Sequence, residues 1–331
     1  MASLGTISST ISNTISVLTF NVWFSRREYA ARAALLFDQI AQADADVVAL
    51  QEVTPRFLEL LAVSPLLCHP GAGGALSVPG RPRYHLCHTE LSPLKPNGCA
   101  ILTRWAPERI VDRPYAPPDD DMDRGLLAVV LRVPSPAGAE ADDQVGPELQ
   151  DAAGHRLVVG TTWLESPEGI RRDNATTRKR QLSTALEQLV ELAAAVKAVA
   201  VVVAGDFNAT RAEEEAAWIT PPWRDVWAEI RPHDPGFSYD CERNPAAVEY
   251  QSRLDKIICR DCCAAVGLRP SQITLVGDGT ADRERIEDRE TADPYASPPR
   301  SPPPPALHSS DHFGVHALLR VVIPPADDRP I

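Results

Sequence analysis

The sequence lacks the features that mark several large classes of protein. No stretch reaches the roughly 18 consecutive apolar residues that suggest a membrane-spanning helix, so we expect a soluble protein with no membrane partner. Seven cysteines at irregular spacing do not suit a disulfide framework and are typical of free thiols in a reducing compartment. The chain has no internal repeat, and nothing in it indicates an oligomer.

Basic residues are also scarce. Lys and Arg number 33 against 45 Asp and Glu, which gives a net charge of −12. Broad, non-specific binding of a polyanion depends on Lys and Arg that neutralise phosphates, and this balance disfavours it. A local basic channel is still compatible with the composition. The densest basic stretch is 171–172 with 178–180, where Arg178 faces either solvent or a phosphate.

Composition also predicts how the chain is divided. Residues 1–15 are rich in Ser and Thr without a basic start or an apolar centre, which predicts a flexible tail and not a secretory signal. We therefore expect a protein of the nucleus and/or cytoplasm that is not secreted. Residues 16–323 are expected to form one catalytic domain, and 324–331 a second tail. Segments at about 134–154 and 279–308 are expected to be surface insertions.

Apolar runs and helical spacing predict the order of elements. The predicted strands are 16–21, 46–50, 99–103, 126–133, 156–164, 199–204, 253–259, 271–276 and 312–322. The predicted helices are 28–41, 56–63 and 176–197. This order, β-α-β followed by several strands and then helix and strand, predicts an α/β fold. We expect a four-layer α/β sandwich, in which two mixed β-sheets pack face to face and are flanked by helices.

Polar side chains stand at or near the ends of several apolar runs. These residues are Asn21, Glu52, Asp206, Asn208, Asp255, Asp311 and His312. Any one of them alone is more simply read as a cap, a turn residue or a satisfied polar edge. Because α/β folds place their chemistry at strand ends, the whole set predicts a common site.

The residue types suit the hydrolysis of a phosphoester. Glu52 is a ligand for a hard cation such as Mg²⁺, and Asp206 can position or deprotonate a water. Asn208 is a neutral donor for a phosphate oxygen, where a carboxylate would repel it. His312 can donate to the phosphoryl group as charge develops on it. Asp255 can accept from the other imidazole nitrogen and fix its tautomer.

Five short motifs carry a resemblance to a known family. They are Leu18-Thr-Phe-Asn21, Leu50-Gln-Glu-Val53, Gly205-Asp-Phe-Asn208, Arg253-Leu-Asp255 and Ser310-Asp-His312. In this order, and over residues 17 to 322, the series resembles the endonuclease/exonuclease/phosphatase superfamily. Within that superfamily, segments 160–166 and 178–182 are similar to the tyrosyl-DNA phosphodiesterase branch, which removes tyrosyl adducts from DNA 5′ ends.

The resemblance implies a role for each residue. Glu52 would bind Mg²⁺, or Mn²⁺ in its place, with Asp311 near the metal and Asn21 helping to order its site. The implied catalytic residues are Asp206, Asn208, His312 and Asp255, and the implied phosphate contacts are Ser166, Trp163 and Arg178. The implied reaction is in-line attack of water on a phosphodiester, without a covalent intermediate. DNA ends with 5′ adducts, or another phosphodiester, would be the substrate partner.

The sequence departs from that branch at two places. Trp163 stands in Thr161-Thr-Trp-Leu-Glu-Ser166, where the branch has a histidine. An indole has one N–H donor but carries no charge, and a core aromatic is the simpler alternative for this residue. The segment after Asn21 lacks the Asp-Gly of the branch, so Trp23 and Phe24 either pack or stack on a base or aromatic leaving group.

Three functions follow from these observations. The leading prediction is a metal-dependent phosphodiesterase that acts on 5′-phosphotyrosyl DNA ends in DNA repair. An enzyme of the same superfamily with another phosphoester, such as an inositol phosphate, a sphingolipid or RNA, is the alternative. A binding protein that keeps the fold without turnover is the third, because Trp163 replaces a charged donor.

Overall fold

The computed structural model describes residues 14–67, 84–92, 95–116, 122–133, 154–167, 174–210, 218–264, 266–278 and 307–322. Its helices are α1 (Tyr29–Ala43), α2 (Pro55–Ala62), α3 (Ala175–Ala195) and α4 (Val226–Ile230). Its first seven strands are β1 (Thr14–Asn21), β2 (Val47–Val53), β3 (His85–His88), β4 (Gly98–Thr103), β5 (Arg109–Pro114), β6 (Gly125–Val133) and β7 (His155–Thr162). The others are β8 (Ala200–Asp206), β9 (Arg224–Asp225), β10 (Tyr239–Asp240), β11 (Gln251–Ser252), β12 (Asp255–Asp261), β13 (Gly267–Val276) and β14 (Gly314–Val322).

The described strands form two six-stranded sheets and a small hairpin. The first sheet has the order β13-β14-β1-β2-β4-β3, and the second has the order β5-β6-β7-β8-β12-β9. The pairs β1–β2 and β7–β8 are parallel and the other pairs are antiparallel. Both sheets are therefore mixed, as the sequence predicts. Strands β10 and β11 form the hairpin.

Alternation of side chains along the strands builds four layers. Because successive side chains point to opposite faces of a sheet, Val17 faces the core between the two sheets, whereas Leu18 faces α1 and α2. In the second sheet Val202 faces the shared core and Val203 faces α3. Strands that are buried on both faces read as continuous apolar runs. The predicted α/β sandwich is thereby confirmed.

The structure corrects several boundaries. Strands β3 and β5 were not predicted, because β3 has only four residues and β5 is largely polar and exposed. Strand β14 begins at Gly314 and not at His312, because His312 lies in the irregular segment before the strand. Helix α1 begins one residue later than predicted, since Glu28 has a φ of 47°, outside the helical region.

The two segments predicted as insertions lie almost entirely outside the described residues. The first joins the antiparallel neighbours β6 and β7. None of the helices in the described ranges has the length and apolar character that crossing a bilayer requires. The six cysteines in these ranges are free thiols.

Candidate active site

The predicted residues meet where the two sheets come together at one end. Asn21 ends β1 and Glu52 lies near the end of its parallel neighbour β2. In the other sheet Asp206 ends β8 and lies opposite Asp255, the first residue of the antiparallel β12. Nδ2 of Asn21 donates to Oδ2 of Asp206 across the sheets at 2.9 Å. The topology therefore brings together residues that are far apart in sequence.

Glu52 reaches the site through an irregularity in its strand. The register between β2 and β4 shifts between Leu50 and Val53, and Glu52 has a φ of 61°. A non-glycine residue with this backbone is uncommon and is often found at functional sites. Its two oxygens accept from Asn21 Nδ2 at 2.9 Å and from the backbone N–H of Phe24 at 3.0 Å. The carboxylate is therefore held in one orientation.

Asp206 is fixed by donors on both of its oxygens. The backbone N–H of Asn208 donates to Oδ1 at 2.8 Å, and Asn21 donates to Oδ2. Asn208 itself has a φ of 49°, and its Nδ2 donates to the carbonyl of Leu164 at 2.9 Å. A side-chain amide has two N–H donors, so one remains for a phosphate oxygen.

His312 is joined to Asp255 in the protein interior. Nδ1 of His312 lies 2.8 Å from Oδ2 of Asp255, and Nε2 lies 4.0 Å from Oδ1 of Asp311. The ring of Tyr239 meets the imidazole edge-on at 5.2 Å between centroids. Ser310 Oγ donates to the carbonyl of Asn21 at 2.7 Å, which ties this segment to β1. Nε2 is left directed away from Asp255.

Crowded, buried carboxylates dominate the electrostatics of the site. Burial, and after it the charge of the neighbouring Asp255, raises the pKa of Asp206 to about 6. Burial likewise raises the pKa of Asp311 to about 7 and the pKa of Glu52 above its usual range. Burial opposes a charge on His312, but the surrounding carboxylates, Asp255 first, outweigh it and hold its pKa well above 6.5.

Part of the site also has the spacing of a metal-binding group, which would need His312 in its neutral form. Asp206, Asp255 and His312 each offer one ligand atom, and the three atoms lie within 4.8 Å of one another. Oδ1 of Asp255 is buried without a hydrogen-bond partner in the described part of the chain. A cation would satisfy that oxygen and relieve the repulsion between carboxylates, and oxygen ligands suit a hard divalent ion. Metal binding by Glu52 and Asp311 stays a prediction.

The three residues predicted to contact phosphate differ in their burial and contacts. Ser166 is half-buried, and its carbonyl accepts from Asn174 at 2.5 Å. Arg178 is buried in α3, where Nη1 lies 3.4 Å from the carbonyl of Glu165, so it is not part of a solvated helix face. Trp163 is 7% exposed and packs into the core between the sheets. Its backbone pairs with that of Asp206, which places the indole at the site as well.

Two buried arginines at the site were not singled out from the sequence. Arg124 is 2% exposed and lies against the indole ring of Trp163. Burial lowers the pKa of Arg124 to about 10, whereas the negative charges of Glu52, Glu165 and Asp206 act to raise it. The side chain is therefore charged at neutral pH. Its Asp-Arg-Gly context at the start of β6 is an ordinary turn pattern, which gave no signal.

The second of these arginines is Arg32 in α1. It is 3% exposed and donates to backbone carbonyls on both sides of the site, including those of Trp23 and Ser309 at 3.1 Å. A helical arginine among alanines reads as a surface residue from sequence. Only the tertiary structure shows that it holds two active-site segments together.

Solved structures share this fold at low sequence identity. TDP2 of D. rerio, complexed with a single-strand DNA product, is 20% identical with a TM-score of 0.67, over 92% of this chain and 98% of that one. The human Nocturnin catalytic domain with bound sulfate is 16% identical with a TM-score of 0.57, over 95% and 96%. A mannosyl-6-phosphatase of Bacteroides thetaiotaomicron is 13% identical with a TM-score of 0.61, over 93% and 100%.

Sequence comparisons give two results. No curated protein matches the sequence. A model of the Endonuclease/Exonuclease/phosphatase family matches residues 18–312, and this range contains all the motifs that carry the resemblance. The chain therefore belongs to the endonuclease/exonuclease/phosphatase family of phosphoesterases.

Proposed function

We propose that the protein is a Mg²⁺-dependent phosphodiesterase that hydrolyses 5′-phosphotyrosyl ends of DNA in DNA repair. One observation carries the catalytic part of this proposal. The amide of Asn21 donates to both Glu52 and Asp206, and Asp206 lies opposite Asp255, the partner of His312. A cation ligand, a base and a charged donor thus lie in one buried cluster.

Each side chain has a separate role in the in-line attack of water on the phosphodiester. Asp206 orients the attacking water and accepts its proton, and a pKa of about 6 suits a base that works near neutral pH. His312, kept charged beside Asp255, donates from Nε2 to the phosphoryl oxygen where negative charge develops. The remaining amide N–H of Asn208 donates to another oxygen. A divalent cation, when bound, neutralises charge on the phosphate and the leaving oxygen.

The surroundings of the site support an aromatic leaving group. Phe24 is 48% exposed, and its ring centroid lies 6.5 Å from that of Trp163. The charged Arg124 also lies over the ring of Trp163. The exposed ring of Phe24 next to a phosphate site favours a substituent with a π-face, such as a tyrosyl ring or a base. The likeness to a TDP2 that holds a DNA product supports the same substrate class.

A different phosphoester is the second candidate. Nocturnin and a mannosyl-6-phosphatase share the fold, and the metal and phosphate residues alone would serve an inositol phosphate, a sphingolipid or RNA equally well. The third function, binding without turnover, is disfavoured because Glu52, Asp206, Asn208 and His312 are all held in place. A repair substrate would place the protein in the nucleus, with the cytoplasm as the alternative.

Release of tyrosine from a 5′-phosphotyrosyl single-stranded oligonucleotide tests the proposal. The assay is run with Mg²⁺, with EDTA, and beside bis-p-nitrophenyl phosphate as a simple diester. Asp206→Asn is the control, since it keeps the shape of the side chain but removes the base. Mg²⁺-dependent release that this variant loses would support the proposal. Turnover of the simple diester alone would leave a phosphodiesterase with another substrate, and no turnover of either would favour the binding function.

A further inference from the structure

A small cavity of about 30 Å³ lies beside the active centre. Residues of the loop 23–28, of α1, of segment 245–246 and of segment 307–308 line it. The loop begins two residues after Asn21, and segment 307–308 comes shortly before Asp311 and His312. The catalytic mechanism above uses none of the groups that face the cavity.

The imidazole of His308 is one of these groups. His308 is 4% exposed, and neither Nδ1 nor Nε2 has a hydrogen-bond partner among the described residues. Its ring packs against Phe313, with centroids 6.3 Å apart. A neutral imidazole has one donor and one acceptor, and leaving such groups unpaired in the interior is costly. A ligand in the cavity would pair with the ring nitrogen that faces it.

Arg32 brings a buried positive charge to the cavity wall. Its Nε donates to the carbonyl of Arg27 at 2.8 Å, its Nη1 to that of Ser309 at 3.1 Å, and its Nη2 to that of Ser25 at 2.5 Å. The ring of Trp23 covers it, with Cζ 4.5 Å from the ring centroid. No carboxylate within the described ranges forms an ion pair with it. The carboxylates of Asp311 and Glu52 act on this charge without contacting it, so an anion in the cavity would be its direct partner.

Arg27 adds a second guanidinium to the lining. Its side chain is half-buried and makes no hydrogen bond or ion pair with any residue that the structure describes. Among the described residues that line the cavity, Glu28 is the one carboxylate, and it interacts with another group of the protein. Two guanidiniums and an unpartnered imidazole therefore face one acid, in a protein whose net charge is −12.

We propose that this cavity is a subsite for a phosphoryl anion and that it takes a second phosphate of the substrate, next to the phosphate that is cleaved. Its volume is room for about two to three water-sized atoms, which suits the oxygens of one phosphoryl group that enters from the open side. Arg27 and His308 donate to these oxygens, and the charge of Arg32 stabilises the anion from behind. The assignment to a second substrate phosphate rests on the proposed function, whereas anion binding itself does not.

Titration with inorganic phosphate tests anion binding without any substrate. The full-length protein is labelled with ¹⁵N-histidine and kept in EDTA, and His308→Phe identifies the His308 signal. We expect phosphate to shift that signal saturably, and Arg27→Ala to weaken binding at least five-fold. Arg26→Ala is the matched control, because Arg26 is exposed in the same loop and does not line the cavity. An unshifted signal, or equal affinities in the two arginine variants, would overturn the subsite.

Steady-state kinetics then test whether the phosphate that binds in the cavity belongs to the substrate. The substrates are a 5′-phosphotyrosyl mononucleoside, which has one phosphate, and the corresponding dinucleotide, which has two. We expect Arg27→Ala to raise the KM for the dinucleotide about five-fold more than the KM for the mononucleoside, whereas Arg26→Ala changes neither. If phosphate binds but Arg27→Ala raises the KM of both substrates equally, the cavity is an anion site that does not contact the second phosphate. That result would overturn the assignment to the substrate. Absence of turnover in the wild type would count against the proposed function, while the phosphate titration would still decide the subsite.

Discussion

Nδ1 of His312 and Oδ2 of Asp255 lie 2.8 Å apart, and both side chains are buried. The pair joins residues that are 57 positions apart in sequence. The carboxylate accepts the Nδ1 proton and thereby fixes the tautomer and orientation of the ring, so that Nε2 is the nitrogen available to a substrate. It also stabilises the charged imidazolium, which is the stronger donor to a phosphoryl oxygen.

Asp255→Asn should separate the charge of this carboxylate from its shape. Loss of the negative charge lowers the pKa of His312, so the imidazole is neutral at the pH of the reaction and donates more weakly. We expect kcat to fall on the order of 10²-fold with little change in KM. Steady-state kinetics and an NMR titration of His312 measure the two effects. Asp46→Asn is the control, because Asp46 directly precedes β2 and lies at the end of that strand far from Glu52. An unchanged pKa of His312 would contradict the role of Asp255.

The indole of Trp163 gives a second prediction. Trp163 makes no hydrogen bond through Nε1 to the described residues, and its ring has Arg124 over it and the ring of Phe24 6.5 Å away. Trp163→Phe keeps an aromatic ring but removes the N–H, and we expect kcat/KM on 5′-phosphotyrosyl DNA to fall roughly five- to ten-fold, the effect of one neutral hydrogen bond. Trp163→His restores a donor and should keep or raise activity. A large loss in Trp163→His would show that the indole ring is needed to hold Arg124.

Metal binding by Glu52 can be measured without turnover. A ligand that binds only the folded protein raises its melting temperature, so MgCl₂ should raise the Tm of the wild type. Glu52→Gln keeps the hydrogen bond to Phe24 but removes the charge, and we expect most of the Mg²⁺-induced rise to disappear. Calorimetric scans with and without Mg²⁺ measure it. Glu108→Gln, in an exposed cluster with Arg132 and Arg156, should keep the full rise.

The sequence predicts the layers of this fold better than its edges. A strand such as β8, with apolar side chains on both faces, is visible as a continuous run. An edge strand such as β5 has little apolar surface to bury, so no pattern marks it. The bulge that turns Glu52 into the site has no sequence signal either, because it depends on the register with β4.

In the candidate site, too, some residues can be predicted from the sequence and others cannot. Asp206 and His312 are visible because each adjoins an apolar run, and the family motifs place them together. Arg124 and Arg32 are not visible, because an arginine is usually exposed and only tertiary packing buries these two. Their environments are set by segments that are distant in sequence, such as Trp163 for Arg124 and Ser309 for Arg32.

Asp225 and Arg253 secure the start of the strand that carries Asp255. Nη1 and Nη2 of Arg253 each lie 2.8 Å from an oxygen of Asp225, and both side chains are largely buried. Burial alone would raise the pKa of Asp225, but the hydrogen bonds and charge of Arg253 outweigh it and hold the pKa below its usual range. A carboxyl group whose pKa is lower in the folded than in the unfolded protein stabilises the folded state. This contribution is fully present above the pKa of the unfolded state, about 3.9, and is lost as the pH falls through the pKa of the folded state.

Asp225→Asn should therefore destabilise the protein by about 1–2 kcal/mol at pH 7, and the difference from the wild type should shrink as the pH falls below about 4. Urea unfolding followed at several pH values measures this. Asp234→Asn is the matched control, since Asp234 pairs with Arg231 on an exposed surface, where ion pairs contribute little. If the difference for Asp225→Asn were the same at pH 7 and at the lowest pH where the wild type is folded, the loss would come from the helix cap that Asp225 also forms with Trp227, and not from its charge.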